Sequence, residues 1–146
     1  TGHSNAWAPT TVALIDLDSF KVINDSCGHA AGDDVLKRVG DILTRHSRPT
    51  DLVGRLGGDE FCIIFPRCPL DEAAAVIERM RGALARTGLA EKYGVPVSFS
   101  AGLTDRLDDA EDLDDTFARA DRALYDAKSA GRDRIEVVLS AADPRT

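Results

Sequence analysis

Acidic side chains stand in two pairs at places where the chain is expected to turn. Asp16 and Asp18 end an apolar run, and Asp59 and Glu60 follow two adjacent glycines. Carboxylates gathered without matching bases raise one another's pKa unless a cation neutralises them, and hard oxygen ligands of this kind suit Mg²⁺. An isolated Asp-x-Asp is more often a solvated turn. If the first apolar run neighbours the segment that carries the second pair, the sequence predicts a divalent metal site.

Two further features extend this chemistry towards phosphate. Gly57 and Gly58 allow positive φ angles and leave room for a bulky group beside the main chain. Lys128 and Arg132 stand four residues apart at the end of a helical pattern, where such a pair either holds phosphates or complements the helix dipole. Metal-binding carboxylates together with a basic phosphate clamp would describe a nucleotide site with chemistry at phosphorus.

Hydrophobic patterns predict the elements that position these residues. Short apolar runs predict strands, two of which form an antiparallel hairpin with the glycine pair at its tip. Helical spacing of apolar residues predicts three amphipathic helices, the last of which stops at Gly131, and an acidic stretch at 104–112 is expected as a solvated loop. The predicted strands cover residues 11–17, 51–56, 61–65, 97–103 and 135–139, and the helices cover 30–46, 71–86 and 113–130.

The order of these elements predicts the fold class. The series β-α-β-β-α-β-α-β is typical of an α+β sandwich of ferredoxin-like or palm type, in which helices pack on a mostly antiparallel central sheet. A chain of 146 residues is long enough for one ordinary domain. We expect a single domain over residues 1–146, with its core at about 11–139 and with peripheral segments at 1–10 and 140–146.

Composition excludes several classes of function. The chain has 25 acidic and 18 basic residues and a formal charge of −7, which is the wrong sign for a surface that binds nucleic-acid phosphates. No apolar run approaches the ~20 residues that span a bilayer, so no membrane contact is expected of this domain. The three cysteines are an odd set, and Cys62 lies within an apolar run, which favours buried thiols and a cytoplasmic, reducing location.

Several motifs stand in one recognisable order. Residues 16–25 read DLDSFKVIND and are followed by Gly28-His29 and Gly32-Asp33. Residues 55–61 read RLGGDEF, and residues 120–128 read ADRALYDAK and are followed by Gly131-Arg132. In order and spacing, these motifs resemble the GGDEF domains, the bacterial diguanylate cyclases. The resemblance covers roughly residues 11–138, and the number of separate motifs in register argues against chance similarity.

The resemblance implies a reaction and a metal. Two GTP molecules would be condensed into cyclic di-GMP and two pyrophosphates, with each protomer of an antiparallel homodimer presenting one GTP. Mg²⁺ (or Mn²⁺) would be held by the carboxylates of Asp16 and Asp59 and by the main-chain carbonyl of Leu17. Glu60 would help the 3′-hydroxyl lose its proton or assist the metal centre. Such a metal centre stabilises charge on the α-phosphate and lowers the pKa of the hydroxyl.

The resemblance also implies how the substrate is held. Asn24 and Asp33 would read guanine, with Asp33 accepting hydrogen bonds from N1 and the amino group, a donor pair that adenine lacks. Phe20 and Lys21 belong to the segment 19–21, whose backbone amides would wrap the β- and γ-phosphates. The Phe20 ring itself favours packing over guanine stacking. Countercharge for the phosphates would come from two basic residues, Lys128 and Arg132.

A second ligand site is implied by the tetrapeptide at 48–51. Arg48 and Asp51 match the R-x-x-D product-inhibition motif, which the family places a short strand ahead of its signature. An Arg fork can bind a guanine edge or a phosphate with two parallel hydrogen bonds. The alternative interpretation is a helix-end Arg beside a strand-start Asp. Arg79 is a weaker candidate for the half of this site that a partner would supply.

One departure and one alternative function complete the comparison. Residues 1–5 resemble the family's T-G-x-x-N entry motif, but the chain before the first strand is too short for the family's usual helix. We expect the domain to be the output module of a longer protein with a sensory or regulatory domain. The alternative is a catalytically silent GGDEF domain that binds GTP or cyclic di-GMP, and the intact signature at 57–61 argues against it. A generic nucleotidyl cyclase or polymerase-like palm is a more distant third.

Overall fold

The computed structural model describes residues 9–107 and 110–140 and consists of one mixed sheet with helices on both faces. The five strands are ordered β2-β3-β1-β4-β5 across the sheet. The strands are β1 (Thr10–Leu17), β2 (Leu52–Gly57), β3 (Glu60–Phe65), β4 (Phe99–Arg106) and β5 (Ile135–Val137). The helices are α1 (Phe20–Cys27), α2 (His29–His46), α3 (Leu70–Ala85), α4 (Leu89–Tyr93) and α5 (Leu113–Ser129).

Strand β1 lies in the middle of the sheet and sets its register. It pairs antiparallel with β3 on one side and with β4 on the other, and only the pairing of β4 with β5 is parallel among the described strands. The first strand therefore neighbours the hairpin of β2 and β3. This is the condition under which the sequence predicted that acidic residues meet.

The two faces of β1 bury different layers of the core. Ala13, Ile15 and Leu17 belong to the large cluster that β1 shares with α1, α2 and α3, whereas Val12 and Leu14 pack with Ala120 and Leu124 of α5. Alternation of this kind follows from the period of two in a strand. Helices cover both faces of a mostly antiparallel sheet, so the predicted α+β fold class is confirmed.

Two helices were not predicted. Helix α1 begins after Ser19, which has φ 57°, and ends at Gly28, whose φ of 92° separates it from α2. Helix α1 has eight residues and only Ile23 is fully buried, so its hydrophobic pattern is too short to be distinguished from a loop. Helix α4 has five residues and is enclosed by glycines at both ends.

The end of β4 also differs from the prediction. The strand begins at Phe99 and continues to Arg106, into the stretch that was expected as a solvated loop. Its polar end is strand because it pairs with β1, with Arg106 opposite Thr10. Glu111 in the same stretch forms an ion pair with Arg119 of α5, so this part of the predicted loop is tied to the fold. The last strand ends at Val137 rather than at residue 139.

The three cysteines are free thiols. Cys62 lies in the layer between β1 and α5, and burial raises the pKa of its thiol to about 11. Its role as a small buried apolar residue is thus as the sequence predicted. Within the residues described, no helix is both long enough and apolar enough to cross a bilayer.

Helix α5 rests directly on β4 at Gly102. A Cβ at this position would overlap the backbone nitrogen of Leu124 and would lie 2.5 Å from the carbonyl oxygen of Ala120. These are backbone atoms of α5, which cannot rotate out of the way as a flexible side chain can. The absence of a side chain at Gly102 thus sets the distance between α5 and the sheet.

Gly102→Ala is therefore expected to displace α5 and to lower the free energy of unfolding by about 1–3 kcal/mol, as overpacking of a core does. Gly40→Ala is the matched control, since Gly40 lies inside α2 with nothing within 4 Å of an added Cβ. That control should raise stability by about 0.5–1 kcal/mol, because Ala costs less conformational entropy in a helix than Gly. Urea unfolding of both variants measures the difference. Equal stability of the Gly102 variant and the parent would contradict the close contact.

Candidate active site

Three carboxylates meet at one end of the sheet. Asp16 near the end of β1 lies opposite Glu60, the first residue of β3, in the antiparallel register. The backbone N–H of Leu17 donates a 3.1 Å hydrogen bond to the carbonyl oxygen of Asp59, which holds the hairpin tip against β1. The pairing of β1 with β3 thus brings together Asp16, Asp59 and Glu60, which the sequence had placed in a metal site.

The electrostatics of this cluster suit a cation. Burial raises the pKa of the Asp16 carboxyl, and the neighbouring Asp59 raises it further, while the Lys128 ammonium opposes both. Oδ2 of Asp16 forms an ion pair with Lys128, but Oδ1 is buried and has no hydrogen-bond partner among the described residues. A buried carboxylate oxygen without a partner is unfavourable unless a ligand supplies one. The donor set fits a hard divalent cation.

Glu60 shares the same environment. Burial raises the pKa of its carboxyl, and the negative charges of Asp16 and Asp121 raise it further. A carboxyl whose pKa is raised towards neutrality is better suited to accept a proton than a fully solvated one. Asp121, on α5, is an additional acidic neighbour that the sequence analysis did not single out.

Asp18 does not belong to the cluster, and the expectation that both acidic pairs converge is wrong for this residue. Its carboxylate is buried and accepts hydrogen bonds from the hydroxyls of Ser98 and Ser100, at 2.8 and 2.7 Å, and from the backbone N–H of Asp133, at 3.0 Å. These three donors satisfy the buried charge. Asp18 therefore links the end of β1 to β4 and to the chain that follows α5.

The hairpin tip has a brace that the sequence did not reveal. Gly57 and Gly58 have φ angles of 140° and 44°, a pair of positive values that permits the tight turn into Asp59. The guanidinium of Arg55 donates to the carbonyl oxygen of Gly58 through Nε at 2.9 Å and Nη2 at 2.6 Å. Because both donors come from one planar group, the tip is fixed in orientation as well as in position.

The guanine-reading pair lies where α1 meets α2. A Cβ at Gly32 would overlap Oδ1 of Asn24, so the Asn24 amide rests on the backbone of α2 in the absence of a side chain. Asp33 is the next residue and is exposed. The ring of Phe20 also reaches Gly32, with Cζ 3.2 Å from the same Cβ position, and is half-buried against the core. The Phe20 ring is thus a packing group, as its sequence context favours.

The three remaining basic candidates differ in their surroundings. Lys128 stands within the acidic cluster through its ion pair with Asp16. Arg132 is exposed on the loop after α5, with φ 65°. Lys21 projects from α1 into solvent and forms an ion pair with Asp25 at 3.1 Å. Only the backbone of Lys21 remains for the phosphate contact that its segment was expected to make, because the side chain is bonded elsewhere.

The R-x-x-D residues line a cleft of about 320 Å³. Arg48 donates to Asp51 from its backbone N–H at 2.7 Å and from Nε and Nη2 at 3.0 and 2.7 Å. Asp51 is almost fully enclosed, with 1% of its side chain exposed, whereas Arg48 retains 45%. Arg79 of α3 lines the same cleft. The geometry is compatible both with a ligand site and with the alternative of a helix end joined to a strand.

The number of carboxylates in the acidic cluster is small for a metal site made by protein alone. In the described part of the chain, no group of three or more His, Cys, Asp or Glu side chains is arranged to hold a metal ion. Mg²⁺ sites in nucleotide enzymes usually take one or two carboxylates from the protein and the remaining ligands from water and substrate phosphates. A mostly antiparallel sheet that presents such carboxylates beside a lysine defines the palm-type class of nucleotide-binding domain.

Comparison with known proteins identifies the family. The family model described as "Diguanylate cyclase, GGDEF domain" matches residues 3–134. The chain is 44% identical over 128 residues to the diguanylate cyclase DgcP of Pseudomonas aeruginosa, and 37% identical over 132 residues to the probable diguanylate cyclase DgcT of Escherichia coli. The chain therefore belongs to the GGDEF domain family, and the resemblance drawn from its motifs is confirmed. These alignments cover 86% and 88% of the chain but only 19% and 29% of the two relatives.

Solved structures agree with this assignment. The active GGEEF domain of a diguanylate cyclase from Vibrio cholerae superposes with a TM-score of 0.83 at 31% identity, covering 91% of this chain and 85% of that one. The GGDEF domain of DgcB from Caulobacter crescentus, solved in complex with c-di-GMP, gives a TM-score of 0.80 at 31% identity, covering 88% and 77%. At these identities and coverages, the likeness extends to the whole described sheet.

Glu60→Gln should reduce product formation from GTP by at least the ~10²-fold typical of a lost acid/base group, while folding and GTP binding persist. Because the pKa of Glu60 is raised in the fold, the stability that this group contributes below its unfolded pKa of about 4.5 is lost as pH rises through the folded pKa. The neutral Gln lacks this loss, so the melting temperature of the variant relative to the parent should be higher at pH 8 than at pH 4.

Two measurements complete this test. Asp59→Asn serves as the comparison, since it deletes a charged ligand and should weaken Mg²⁺-dependent nucleotide binding. Turnover of the Glu60 variant within a factor of about two of the parent would remove Glu60 from the mechanism, given the loss expected of an acid/base group.

Proposed function

We propose that the chain is a catalytically competent diguanylate cyclase domain that condenses two GTP molecules into cyclic di-GMP and two pyrophosphates. In each of two steps, a 3′-oxygen forms a bond to an α-phosphorus, the bond from that phosphorus to the bridging oxygen breaks, and pyrophosphate leaves with the electron pair. The observation that carries the proposal is the acidic cluster of Asp16, Asp59 and Glu60, with its unpartnered buried oxygen on Asp16.

Within the proposal, the acidic cluster has divided roles. Asp16 and Asp59 offer carboxylates, and Leu17 offers a carbonyl oxygen, to Mg²⁺ or Mn²⁺, which would stabilise charge developing at the α-phosphate and lower the pKa of the attacking hydroxyl. Glu60 accepts the proton of the 3′-hydroxyl, for which its raised pKa is suited. Lys128 neutralises Asp16 in the ligand-free protein, and its ammonium exchanges this carboxylate for the triphosphate when substrate binds.

The base and the phosphates are held by groups on separate elements. Asn24 and Asp33 read guanine where α1 meets α2. The backbone amides at 19–21 and the Arg132 side chain contact the β- and γ-phosphates. Each chain holds one GTP, so two chains must face each other for the reaction, which makes a homodimer the active unit.

The context of the domain is part of the proposal. The chain spans less than a third of the length of the two curated relatives named above, so we place it as the cytoplasmic output module of a longer signalling protein. A solved neighbour, SiaD of Pseudomonas aeruginosa, is described as a diguanylate cyclase in complex with its activator SiaC. A sensory or regulatory domain would here control how often two GTP-loaded halves meet.

The direct test is incubation of the purified domain with GTP and Mg²⁺ at several protein concentrations, followed by chromatography for cyclic di-GMP. The rate per chain should rise with protein concentration, because the reaction needs two chains. A fusion of the domain to a dimerising coiled coil removes this requirement and should be active at low concentration. No product from the coiled-coil fusion, with either Mg²⁺ or Mn²⁺, would overturn the proposal.

Asp33→Ser should relax the choice of base. A carboxylate that accepts two guanine donors discriminates strongly, since a base without them leaves the acceptor unpaired. The GTP-over-ATP preference should fall by about tenfold or more, and mixed cyclic dinucleotides should appear in competition assays. Asp41→Ser, an exposed acid on the same helix, is the control. An unchanged preference in the Asp33 variant would move guanine recognition elsewhere, with Asn24 the first candidate.

Arg48→Ala should abolish feedback by product. The substitution removes a two-pronged donor from the 320 Å³ cleft without touching the acidic cluster, so added cyclic di-GMP should no longer slow the reaction. Coupling between two such sites is typically ~1–3 kcal/mol, which corresponds to one or two decades in inhibition. Calorimetry should show product affinity falling in parallel.

Arg79→Ala tests the opposite wall of that cleft and leaves the bonds between Arg48 and Asp51 in place. If the Arg48 and Arg79 variants are both inhibited as strongly as the parent, the R-x-x-D match is only a helix end joined to a strand.

A further inference from the structure

The loop after α5 has an unusual backbone. Gly131, Arg132 and Asp133 have φ angles of 124°, 65° and 48°, so three consecutive residues lie in the left-handed half of conformational space. Glycine adopts such angles freely, whereas Arg and Asp adopt them at a steric cost because of their Cβ atoms. A conformation of this kind persists only where surrounding contacts impose it.

The contacts that impose it converge on Asp133. Its backbone N–H donates to the buried carboxylate of Asp18 at 3.0 Å. Its carbonyl oxygen accepts a 2.7 Å hydrogen bond from Nη1 of Arg81 on α3, and its carboxylate forms an ion pair with the same nitrogen. Asp133 is thus held from the sheet on one side and from α3 on the other.

Arg81 is itself held in place for this contact. Its Nε and Nη2 donate to Oε1 of Glu78, one turn earlier on α3, at 3.1 and 2.8 Å. Only 22% of the Arg81 side chain is exposed. With two of its nitrogens bonded within the helix, the guanidinium presents Nη1 to the loop in one orientation.

The ends of the loop have anchors that do not involve Arg81. The backbone N–H of Arg132 donates to the carbonyl oxygen of Ala127 at 2.9 Å, and the carbonyl oxygen of Arg134 accepts from the N–H of Ala101 at 2.9 Å. Removal of Arg81 would leave both anchors intact. Its effect is therefore confined to the segment between them, which carries the Arg132 side chain.

We propose that Arg81 is a positioning residue that holds the Arg132 guanidinium where the triphosphate of the substrate binds, acting through its two contacts with Asp133. The inference rests on the proposed function, in which Arg132 binds the β- and γ-phosphates. Arg81 contacts neither the acidic cluster nor the residues assigned to guanine, so it would act on phosphate affinity alone. The proposal thereby gives α3 a part in substrate binding.

The test is a double-mutant cycle read by calorimetry, with Mg²⁺ and a non-hydrolysable GTP analogue as titrant. Arg132→Ala should weaken binding by about 10- to 100-fold, the value of a charge-assisted hydrogen bond. Arg81→Ala should weaken it by about threefold to tenfold, as expected of a coupled neighbour. In the Arg132→Ala background, Arg81→Ala should have no further effect, because the residue through which it acts is gone.

A second titrant and a conservative variant distinguish positioning from general damage. GMP lacks the β- and γ-phosphates, so its affinity should be unchanged by Arg81→Ala, whereas a distorted fold would weaken both ligands. Asp133→Asn keeps a residue that tolerates left-handed angles but removes the ion pair, and should give an intermediate loss for the triphosphate analogue. Arg86→Ala, at the exposed end of the same helix, is the matched control and should bind like the parent.

The outcomes separate the inference from the proposed function. If Arg132→Ala weakens analogue binding and Arg81→Ala and Asp133→Asn do not, the positioning role is overturned while the proposed function stands. Equal losses for GMP and for the triphosphate analogue would also overturn it. If Arg132→Ala has no effect, then the phosphate role of Arg132 fails and the positioning role fails with it, whether or not the domain makes cyclic di-GMP.

Discussion

Concentrated negative charge at the end of β1 is the constraint on which the other features of the site depend. The register of β1 with β3 puts Asp16 opposite Glu60, and the hydrogen bond from Leu17 keeps Asp59 beside them. Burial and mutual repulsion raise the pKa values of Asp16 and Glu60, so the ligand-free protein needs a counter-ion there. Lys128 supplies this charge from α5, and it reaches Asp16 because α5 packs on β4 at Gly102, where no side chain intervenes.

The two aspartates of the D-x-D sequence show how hydrogen bonding separates a structural acid from an available one. Asp18 accepts from two serine hydroxyls and a backbone N–H, which stabilise its buried charge. Asp16 has one ion pair and one buried oxygen without a partner in the described residues. The first arrangement is complete without a ligand, whereas the second is completed by one. Spacing alone cannot distinguish the two residues, because both follow the same apolar run.

Much of the fold could be predicted because burial leaves a periodic pattern in the sequence. The hairpin, the central strand and the three long helices follow from that pattern, and the family resemblance placed the site residues on it. Helix α1 was missed because eight residues with one fully buried side chain, Ile23, give too short a pattern. The polar end of β4 was missed because it is strand by virtue of pairing with β1, and no local property of Asp105 or Arg106 records that partner. Residues 1–5, with the T-G-x-x-N motif, lie outside the described residues.

The polar contacts that position the site were the least predictable part, and they also link its separate regions. Asp133 lies 115 residues from Asp18 and 52 from Arg81, and a single sequence carries no signal for pairs at such distances. Arg79 lines the cleft with Arg48, and Arg81, two residues later on α3, bonds to the loop that carries Arg132. Because packed helices move as rigid elements, any ligand that shifts α3 at the cleft would carry Arg81 with it. The R-x-x-D cleft and the loop after α5, which are separate in sequence, are therefore mechanically connected through one helix.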